Sequence, residues 1–507
     1  MRAWANQRVP GHDGTPLALD VHLPEESTWP VPAVVTRTAY GRTAHLAEGR
    51  AWRRAGFAFV AQDVRGRYDS EGTWTPYRDE RGDGARLVDH LLAQPWCDGR
   101  VVAYGGSYAG YTAWALAVER PEAVRAVISL GPSLGLHRTK FAPGGILRLT
   151  EHVGWWLERA DGRTSRPGLR EVVFTENPDL LDHLPVVEIG DLSGVDLPHW
   201  NDALDLHEEF GRDGTPPEAV TTAELEDLTC ATFHAGGWYD LLTPEAVDLW
   251  RVTGSAVAPR PLRRLVLGPW EHDLGMDGGT TVGVLDHGPG SRRDWGSEFV
   301  AFARDALEGT GASGADVFRS GRWRRTPDWP TTGFVPWFPA ADGTLRPEPS
   351  VGDVGFRSDP HDPFPSLLAG QDRSATSTRQ DAVRFWSNPL VRDVVFDGLA
   401  EIDLDTAGEG DWICRLLHER SDGSLVELAV ATTTAHEATF TPMSCGLPAG
   451  TRWALEITGS DFPHLARNLG PGVDRLRGEA GRPVEQVVRC AGTVLRVPAG
   501  EPAGESR

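Results

Sequence analysis

The sequence lacks the patterns of a membrane protein, a disulfide framework or a zinc site. Its first 20 residues have neither the apolar run nor the cleavage pattern of a signal peptide, and nowhere do about 18 apolar residues follow one another. The five cysteines are scattered, and none belongs to a C-x-x-C pair. We therefore expect buried thiols, no metal, no membrane segment and a cytoplasmic location.

Positive charge is also scarce. Lysine and arginine together number 50 against 72 aspartates and glutamates, which gives a net charge of −22. A polyanionic surface repels the phosphates of nucleic acids and of anionic lipids. This balance argues against a nucleic-acid or membrane partner, and it leaves open whether identical chains form a homo-oligomer.

The chain is too long for a single hydrophobic core. Cores stop growing near ~250–300 residues, and this chain has 507. Apolar residues make up 40% of it and charged residues 24%, which is the balance of a folded, water-soluble protein. Two or three domains are expected.

The pattern of apolar residues changes along the chain. Up to residue 268, short β-rich runs alternate with helical patterns, which predicts a mostly parallel sheet with helices on both faces. The runs lie at 33–35, 57–61, 101–104, 126–130, 231–235 and 264–268. Between the fourth and fifth runs the alternation breaks, which predicts an inserted cap. From about residue 315 the period becomes two, as expected for antiparallel strands.

These patterns predict an α/β fold. It consists of an α/β core at 1–133 and 228–314, a helical cap inserted at 134–227, and a C-terminal all-β jelly-roll domain at 315–507.

The segment 101–110 carries the strongest local motif. An apolar strand leads into G-G-S-Y-A-G, and a helical pattern follows over 111–119. A strand that turns sharply through small residues into a helix holds a serine hydroxyl out at the carboxyl edge of a sheet. This predicts Ser107 as a nucleophile, although Ala109 stands where the strict G-x-S-x-G motif has its second glycine. A glycine-rich turn without chemistry is the alternative.

A serine nucleophile needs a base to remove its proton and an acid to orient that base. In this fold the three follow in the order serine, acid, histidine, each just past a strand. Asp240 follows the run at 231–235, and His272 follows the run at 264–268. Their nearest rivals are His234, which lies within its strand, and Asp273, which directly follows the histidine that it would have to orient.

The oxyanion of an acyl-transfer intermediate needs preorganised hydrogen-bond donors. The backbone N–H of Tyr108 supplies one, since it follows the nucleophile. The phenol of Tyr40, just past the first core strand, stays protonated at neutral pH and supplies a second. For Tyr40, a packing role with its hydroxyl at the surface is the alternative.

Several motifs together resemble one family. They are G-G-S-Y-A-G at 105–110, D-V-R-G-R at 63–67, Q-P-W-C-D-G-R at 94–100, G-W-Y-D at 237–240 and L-G-P-W at 267–270. The chain resembles the cocaine esterase and X-prolyl dipeptidyl-peptidase superfamily, the CocE/NonD hydrolases, over nearly its whole length. The resemblance implies that the α/β core is an α/β-hydrolase core. It implies Ser107 as nucleophile, His272 as base, Asp240 as orienting acid, and Tyr40 with the Tyr108 amide as oxyanion hole. It also implies an acyl-serine intermediate and no metal or organic cofactor.

The substrate class is less sharply indicated. In similar enzymes that hydrolyse α-amino acid esters, carboxylates after the catalytic acid hold the substrate ammonium, whereas Leu241 and Leu242 follow Asp240 here. We therefore predict a carboxylic-ester hydrolase acting on a small-molecule ester. The alternative is an X-Pro dipeptidyl-peptidase or aminoacyl amidase acting on a short peptide, and a third hypothesis is an inert binding protein.

Three tryptophans are candidates for the substrate pocket. Trp155, Trp156 and Trp238 favour a hydrophobic or aromatic acyl group. Packing in the core is the alternative for each of them.

Overall fold

The structure is a computed structural model, and it describes residues 2–160, 162–197, 200, 204, 219–330 and 333–498. The central sheet of the protein is built from strands of the first 330 residues. Numbered in chain order, the strands of this part are β1 (Arg2–Pro10), β2 (Pro16–Leu23), β3 (Val31–Thr38), β4 (Ala58–Asp63), β5 (Cys97–Ser107), β6 (Val124–Pro132), β7 (Phe141–Ala142), β8 (Ile146–Leu147), β9 (Ala231–Gly237), β10 (Arg263–Gly268), β11 (Thr281–Val282), β12 (Leu285–Asp286), β13 (Gly314–Arg319) and β14 (Arg322–Thr326).

Ten of these strands form the central sheet, in the order β1-β2-β4-β3-β5-β6-β9-β10-β13-β14. The pairs from β4 to β13 along this order are parallel, and the pairs at both ends are antiparallel. Every residue of β4 and β9 is buried. Burial on both faces explains why the sequence shows continuous apolar runs here instead of alternation. All six predicted runs are strands of this sheet.

Helices cover both faces of the sheet. The helices within the described residues are α1 (Leu46–Arg54), α2 (Glu80–Leu92), α3 (Tyr108–Glu119), α4 (Leu136–Lys140), α5 (Leu149–Trp155), α6 (Leu169–Glu176), α7 (Ile189–Leu192), α8 (Thr222–Glu226), α9 (Thr243–Val252) and α10 (Trp295–Glu308), of which α1 to α3, α9 and α10 pack on the sheet. Leu87 of α2, Trp114 of α3 and Leu249 of α9 share one buried cluster. Trp52 of α1 and Phe302 of α10 belong to another. This is an α/β-hydrolase-like core.

The segment between β6 and β9 lies where the sequence predicts an inserted cap, and it keeps that name below. It contains α4 to α8, the β7–β8 hairpin and a π-helical turn at Trp156–Ala160 that continues α5. The cap cluster, a group of buried residues that includes Val153, Trp156 and Ile189, joins these helices to Ala39 and Tyr108 of the core. No helix within the described ranges combines the length and apolar character needed to cross a membrane.

The C-terminal region consists of antiparallel sheets. Its strands are β15 (Phe334–Pro339), β16 (Leu345–Arg346), β17 (Asp353–Ser358), β18 (Ala382–Trp386), β19 (Val394–Gly398), β20 (Glu401–Asp403), β21 (Thr406–Ala407), β22 (Trp412–Glu419), β23 (Leu425–Thr433), β24 (Glu437–Thr439), β25 (Met443–Leu447), β26 (Arg452–Thr458), β27 (Val484–Arg489) and β28 (Val494–Pro498). Their ladders are antiparallel. Trp453 lies between Trp337 and Phe396 in their shared core.

The central sheet extends further along the chain than the sequence indicated. Strands β13 and β14 fall almost wholly within the predicted C-terminal range 315–507, yet β13 pairs with β10 and β14 pairs with β13 at the end of the central sheet. A hairpin can have the same local sequence pattern at the edge of the central sheet and in a sandwich. Only its pairing partner distinguishes a sheet edge from a sandwich.

The C-terminal region also holds the cap. The Thr150 hydroxyl at the start of α5 donates to the Pro463 carbonyl at 2.8 Å, and the Ala466 N–H donates to the Leu147 carbonyl at 2.8 Å. Phe462 packs into the cap cluster. The position of α5 is therefore set from two sides, by the core residues of the cap cluster and by the loop around residues 460–467.

Candidate active site

Ser107 lies at the junction of β5 and α3. Its backbone has φ 56° and ψ −125°, in a region that non-glycine residues rarely adopt and that costs conformational energy. The strand thus turns directly into the helix with no intervening loop. The side chain is raised to the carboxyl edge of the parallel strands, where ligands of open α/β sheets bind.

Small neighbours make this turn possible. A Cβ at Gly105 would overlap the carbonyl of Ala109, and a Cβ at Gly110 would lie 3.0 Å from the Cβ of Pro132. Ala109 is tolerated because Gly105 opposite has no side chain. The motif therefore departs from the strict form in the position of its second glycine, which stands at residue 110, where α3 closely approaches Pro132, and not at residue 109.

Asp240 and His272 meet at the same edge of the sheet. His272 Nδ1 lies 3.0 Å from Asp240 Oδ2, and the Leu242 N–H donates to the other carboxylate oxygen at 3.0 Å. A Cβ built on Gly131 would lie 2.9 Å from Asp240 Oδ2 and 3.4 Å from His272 Nδ1. The pair therefore packs against the backbone at the end of β6.

That part of β6 lies directly beside Ser107. Pro132 pairs with Ser107 in the register of the two strands, and the Ser133 N–H donates to the Ser107 carbonyl at 3.1 Å. The structure thus brings Ser107, Asp240 and His272 to one rim, although they are far apart in sequence.

The environment of His272 suits a base. Burial lowers the pKa of the imidazole, but the charge of Asp240 and the hydrogen bond to it raise that pKa by more, so the net shift is upward from 6.5. The His272 side chain keeps 49% of its surface exposed, whereas that of Asp240 keeps 1%. The carboxylate is therefore enclosed while the ring remains accessible.

The alternative histidine and acid, His234 and Asp273, lie in different environments. His234 is fully buried within β9, its ring stacks on Trp114 with centroids 5.6 Å apart, and burial lowers its pKa to about 3. The Asp273 carboxylate accepts the N–H of Gly275 at 3.1 Å, which closes a local turn.

The two predicted oxyanion donors are neighbours. The rings of Tyr40 and Tyr108 meet edge to face with centroids 6.3 Å apart. The Tyr108 amide is the first of α3, and the first N–H groups of a helix have no acceptor within it. The Tyr40 hydroxyl accepts the indole N–H of Trp155 at 3.3 Å. Since an indole N–H can only donate, the phenol keeps its own proton for another acceptor.

The three predicted substrate-binding tryptophans differ in burial and in the residues they contact. Trp155 contacts Tyr40 and is partly exposed. Trp156 is 1% exposed within the cap cluster. The Trp238 indole packs on Trp329, with centroids 5.9 Å apart, and donates to the Phe318 carbonyl at 3.3 Å. Of the three, Trp155 is therefore the one that contacts a predicted oxyanion donor.

Lys140, which lies close to Trp155, was not predicted from the sequence as a residue of this region. It is the one lysine of the chain, and it is 6% exposed at the end of α4. Its ammonium lies 4.8 Å from the ring centroid of Trp155, and burial lowers its pKa to about 8. Its signal was compositional, since 49 of the 50 basic residues are arginines. A compact ammonium and a guanidinium are not interchangeable in a buried position.

A mixed sheet of this order, with a strained serine between strand and helix, is the architecture of a serine hydrolase, and the protein belongs to that class. Its family follows from the sequence. The family model described as X-Pro dipeptidyl-peptidase (S15 family) matches residues 13–273, just over half of the chain, and the chain belongs to this family. The resemblance inferred from the motifs is confirmed.

Known proteins are similar over nearly the whole chain. Cocaine esterase from Rhodococcus sp. (strain MB1 Bresler) is 25% identical over 539 residues, which span 92% of each protein. A solved α-amino acid ester hydrolase has a TM-score of 0.83 at 18% identity, covering 98% of this chain and 96% of that one. An aminopeptidase from the marine sediment archaeon Thaumarchaeota archaeon has a TM-score of 0.81 at 20% identity, with the same coverage. These structural matches establish the fold.

Proposed function

We propose that the protein hydrolyses a carboxylic ester through an acyl-serine intermediate. His272 takes the proton of the Ser107 hydroxyl as that oxygen attacks the ester carbonyl, and then gives it to the leaving alcohol. Asp240 holds the imidazole in the tautomer that this requires. Tyr40 and the Tyr108 amide bind the oxyanion. Water activated by His272 then cleaves the acyl-serine, and neither step needs a metal or an organic cofactor.

One observation carries the proposal. The Asp240–His272 pair, 3.0 Å apart, packs against the end of β6 beside the strained Ser107. An imidazole oriented by a buried carboxylate next to a serine is what nucleophilic catalysis by a hydroxyl needs.

Two features favour an ester over an amide. Cocaine esterase, of which this chain covers 92%, is by name an esterase. Leu241 and Leu242, the latter 4% exposed, follow Asp240 and offer no charge to a substrate ammonium. The names of the family model and of the archaeal aminopeptidase support a second candidate, a peptidase that releases dipeptides or amino acids.

A crossed substrate set separates the two candidates. We expect kcat/KM for p-nitrophenyl acetate or benzoate to exceed that for Gly-Pro-p-nitroanilide by about 10²-fold or more. Aryl esters are intrinsically more reactive than anilides, so the set also includes acetyl-p-nitroanilide and a Gly-Pro p-nitrophenyl ester. A preference for the Gly-Pro acyl group in both the ester and the anilide would establish the peptidase instead.

The pH dependence tests the role of His272. The base must be neutral, so kcat/KM falls as the pH drops through the pKa of the imidazole. Because that pKa is raised from 6.5, we expect the midpoint of the acid limb above 6.5. Asp240→Asn removes the charge that raises it, so the midpoint of the residual activity moves down, whereas Asp273→Asn leaves it unchanged. An acid limb well below pH 6.5 in the unaltered enzyme contradicts the assignment.

The domain division is also part of the proposal. We assign 1–133 and 228–326 to the core, since β13 and β14 pair with it, and 134–227 to the cap. The remaining antiparallel sheets form a jelly roll. Trp155, beside Tyr40, forms an apolar wall for the acyl group.

A further inference from the structure

The phenol of Tyr108 is the centre of a buried hydrogen-bond network. It donates to Glu80 Oε1 at 2.6 Å, and it accepts the indole N–H of Trp74 at 3.2 Å and the backbone N–H of Tyr77 at 3.0 Å. One donor and two acceptor sites are all that a phenol offers. Tyr108 is fully buried, so the packing around its ring restricts it further.

Glu80 links this phenol to the strand that leads to Tyr40. Its other carboxylate oxygen lies 2.9 Å from a guanidinium nitrogen of Arg37 as an ion pair without hydrogen-bond geometry, and both side chains are almost fully buried. Arg37 also donates to Gln62 Oε1 at 2.8 Å and to the Glu80 carbonyl at 2.7 Å. Arg37 stands on β3, three residues before Tyr40.

A second hydrogen bond ties the same two elements together. The Thr112 hydroxyl, one turn after Tyr108 on α3, donates to the Arg37 carbonyl at 2.8 Å. Arg37 is thus a common anchor for the helix that begins with the Tyr108 amide and for the strand that ends before Tyr40.

Stability alone does not explain a buried ion pair at this place. Removing two charges from water offsets most of their attraction, and apolar residues of similar volume would often serve as well. A directional chain of hydrogen bonds does fix the relative position of the groups it joins, and misplacement by about 1 Å near a reacting centre can cost 10²-fold in rate.

We propose that Glu80, braced by Arg37, is a positioning residue for the oxyanion hole. It holds the Tyr108 phenol and thereby the Tyr108 amide at the correct distance from Tyr40. This inference rests on the proposed function, in which these two groups bind the oxyanion. Glu80 itself touches no substrate; it acts through the ring of Tyr108.

Tyr108→Phe tests the proposal against a matched control. Tyr104→Phe removes another buried phenol. Tyr104 lies on β5, the strand that leads to Ser107, and its hydroxyl is hydrogen-bonded to Glu48. With enzyme concentration set by fluorophosphonate titration of Ser107, we expect Tyr108→Phe to lower kcat for p-nitrophenyl acetate by about 10- to 100-fold with KM within about twofold. The affinity for an aryl trifluoromethyl ketone, whose serine adduct carries an oxyanion, should fall by the same factor. Tyr104→Phe should leave both near the values of the unaltered enzyme.

A double-mutant cycle assigns the effect to Glu80. If Glu80 acts through Tyr108, then Glu80→Gln combined with Tyr108→Phe lowers kcat no further than the worse single variant. Equal kcat in Tyr108→Phe and Tyr104→Phe, or additive losses in the cycle, would overturn the inference and leave the esterase proposal standing. An unaltered enzyme with neither turnover nor Ser107 labelling would overturn both.

Discussion

Ser107→Ala is expected to lower kcat for aryl and short-chain acyl esters by about 10⁶-fold, because removing the nucleophile of a serine triad costs nearly as much as removing the whole triad. The alanine keeps the Cβ, so the strained backbone at φ 56° need not change. The variant should therefore unfold at the same temperature as the unaltered protein. It should also lose labelling by a fluorophosphonate, which reads out the nucleophile without any assumption about the substrate.

Ser129→Ala is the control for this variant. Ser129 is fully buried on the neighbouring strand β6, and its hydroxyl accepts the indole N–H of Trp114 at 2.9 Å. Its loss leaves a buried donor without an acceptor, which costs about 1–3 kcal/mol of stability, while Ser107 stays intact. The two variants should thus separate activity from stability. Undiminished turnover by Ser107→Ala would rule out the proposed mechanism.

Asp240→Asn is expected to lower kcat by about 10⁴-fold, as loss of the orienting carboxylate does in a serine triad. Asp240 Oδ2 holds the proton of His272 on Nδ1, and Oδ1 is fixed by the Leu242 N–H. An asparagine can keep the bond to Leu242 through its oxygen. Its NH₂ group then faces Nδ1 and favours the tautomer with the proton on Nε2, which cannot accept a proton from serine.

Asp273→Asn is the matched control, since Asp273 is the neighbouring acid that the sequence alone left as a rival. Its carboxylate closes a turn onto the Gly275 N–H, and an asparagine oxygen can accept the same bond. We expect kcat within about twofold of the unaltered enzyme, as for a surface substitution away from the reacting groups. The assignment of the acid would be wrong if Asp273→Asn lost activity and Asp240→Asn did not.

Local patterns in the sequence were sufficient for the core. Continuous apolar runs predicted β3 to β6, β9 and β10 because a strand buried on both faces must be apolar throughout. The turn at Ser107 was predicted because glycines are needed where the strand backbone closely approaches the helix that follows. Asp240 and His272 were predicted by a rule of order, since the carboxyl ends of parallel strands share one edge.

Other features depended on contacts between residues far apart in the chain. Trp155 and Trp156 are the same residue type and are adjacent in the sequence. Packing of the cap nevertheless leaves Trp155 partly exposed beside Tyr40 and encloses Trp156. Neither residue's neighbours in sequence reveal this difference. The hairpin β13–β14 likewise lies within the range predicted for the sandwich and yet joins the central sheet, because strand pairing depends on the partner strand and not on the segment alone.

By itself, the sequence determined the class of chemistry, because a serine nucleophile needs a particular turn and a particular order of partners that leave local marks. The tertiary structure alone decided how those groups are held. Glu80 stands 28 positions from Tyr108 and 43 from Arg37, and no periodicity connects them. A buried carboxylate finds its partners only when the chain folds, since the cost of leaving it unpaired then selects the neighbours that can satisfy it.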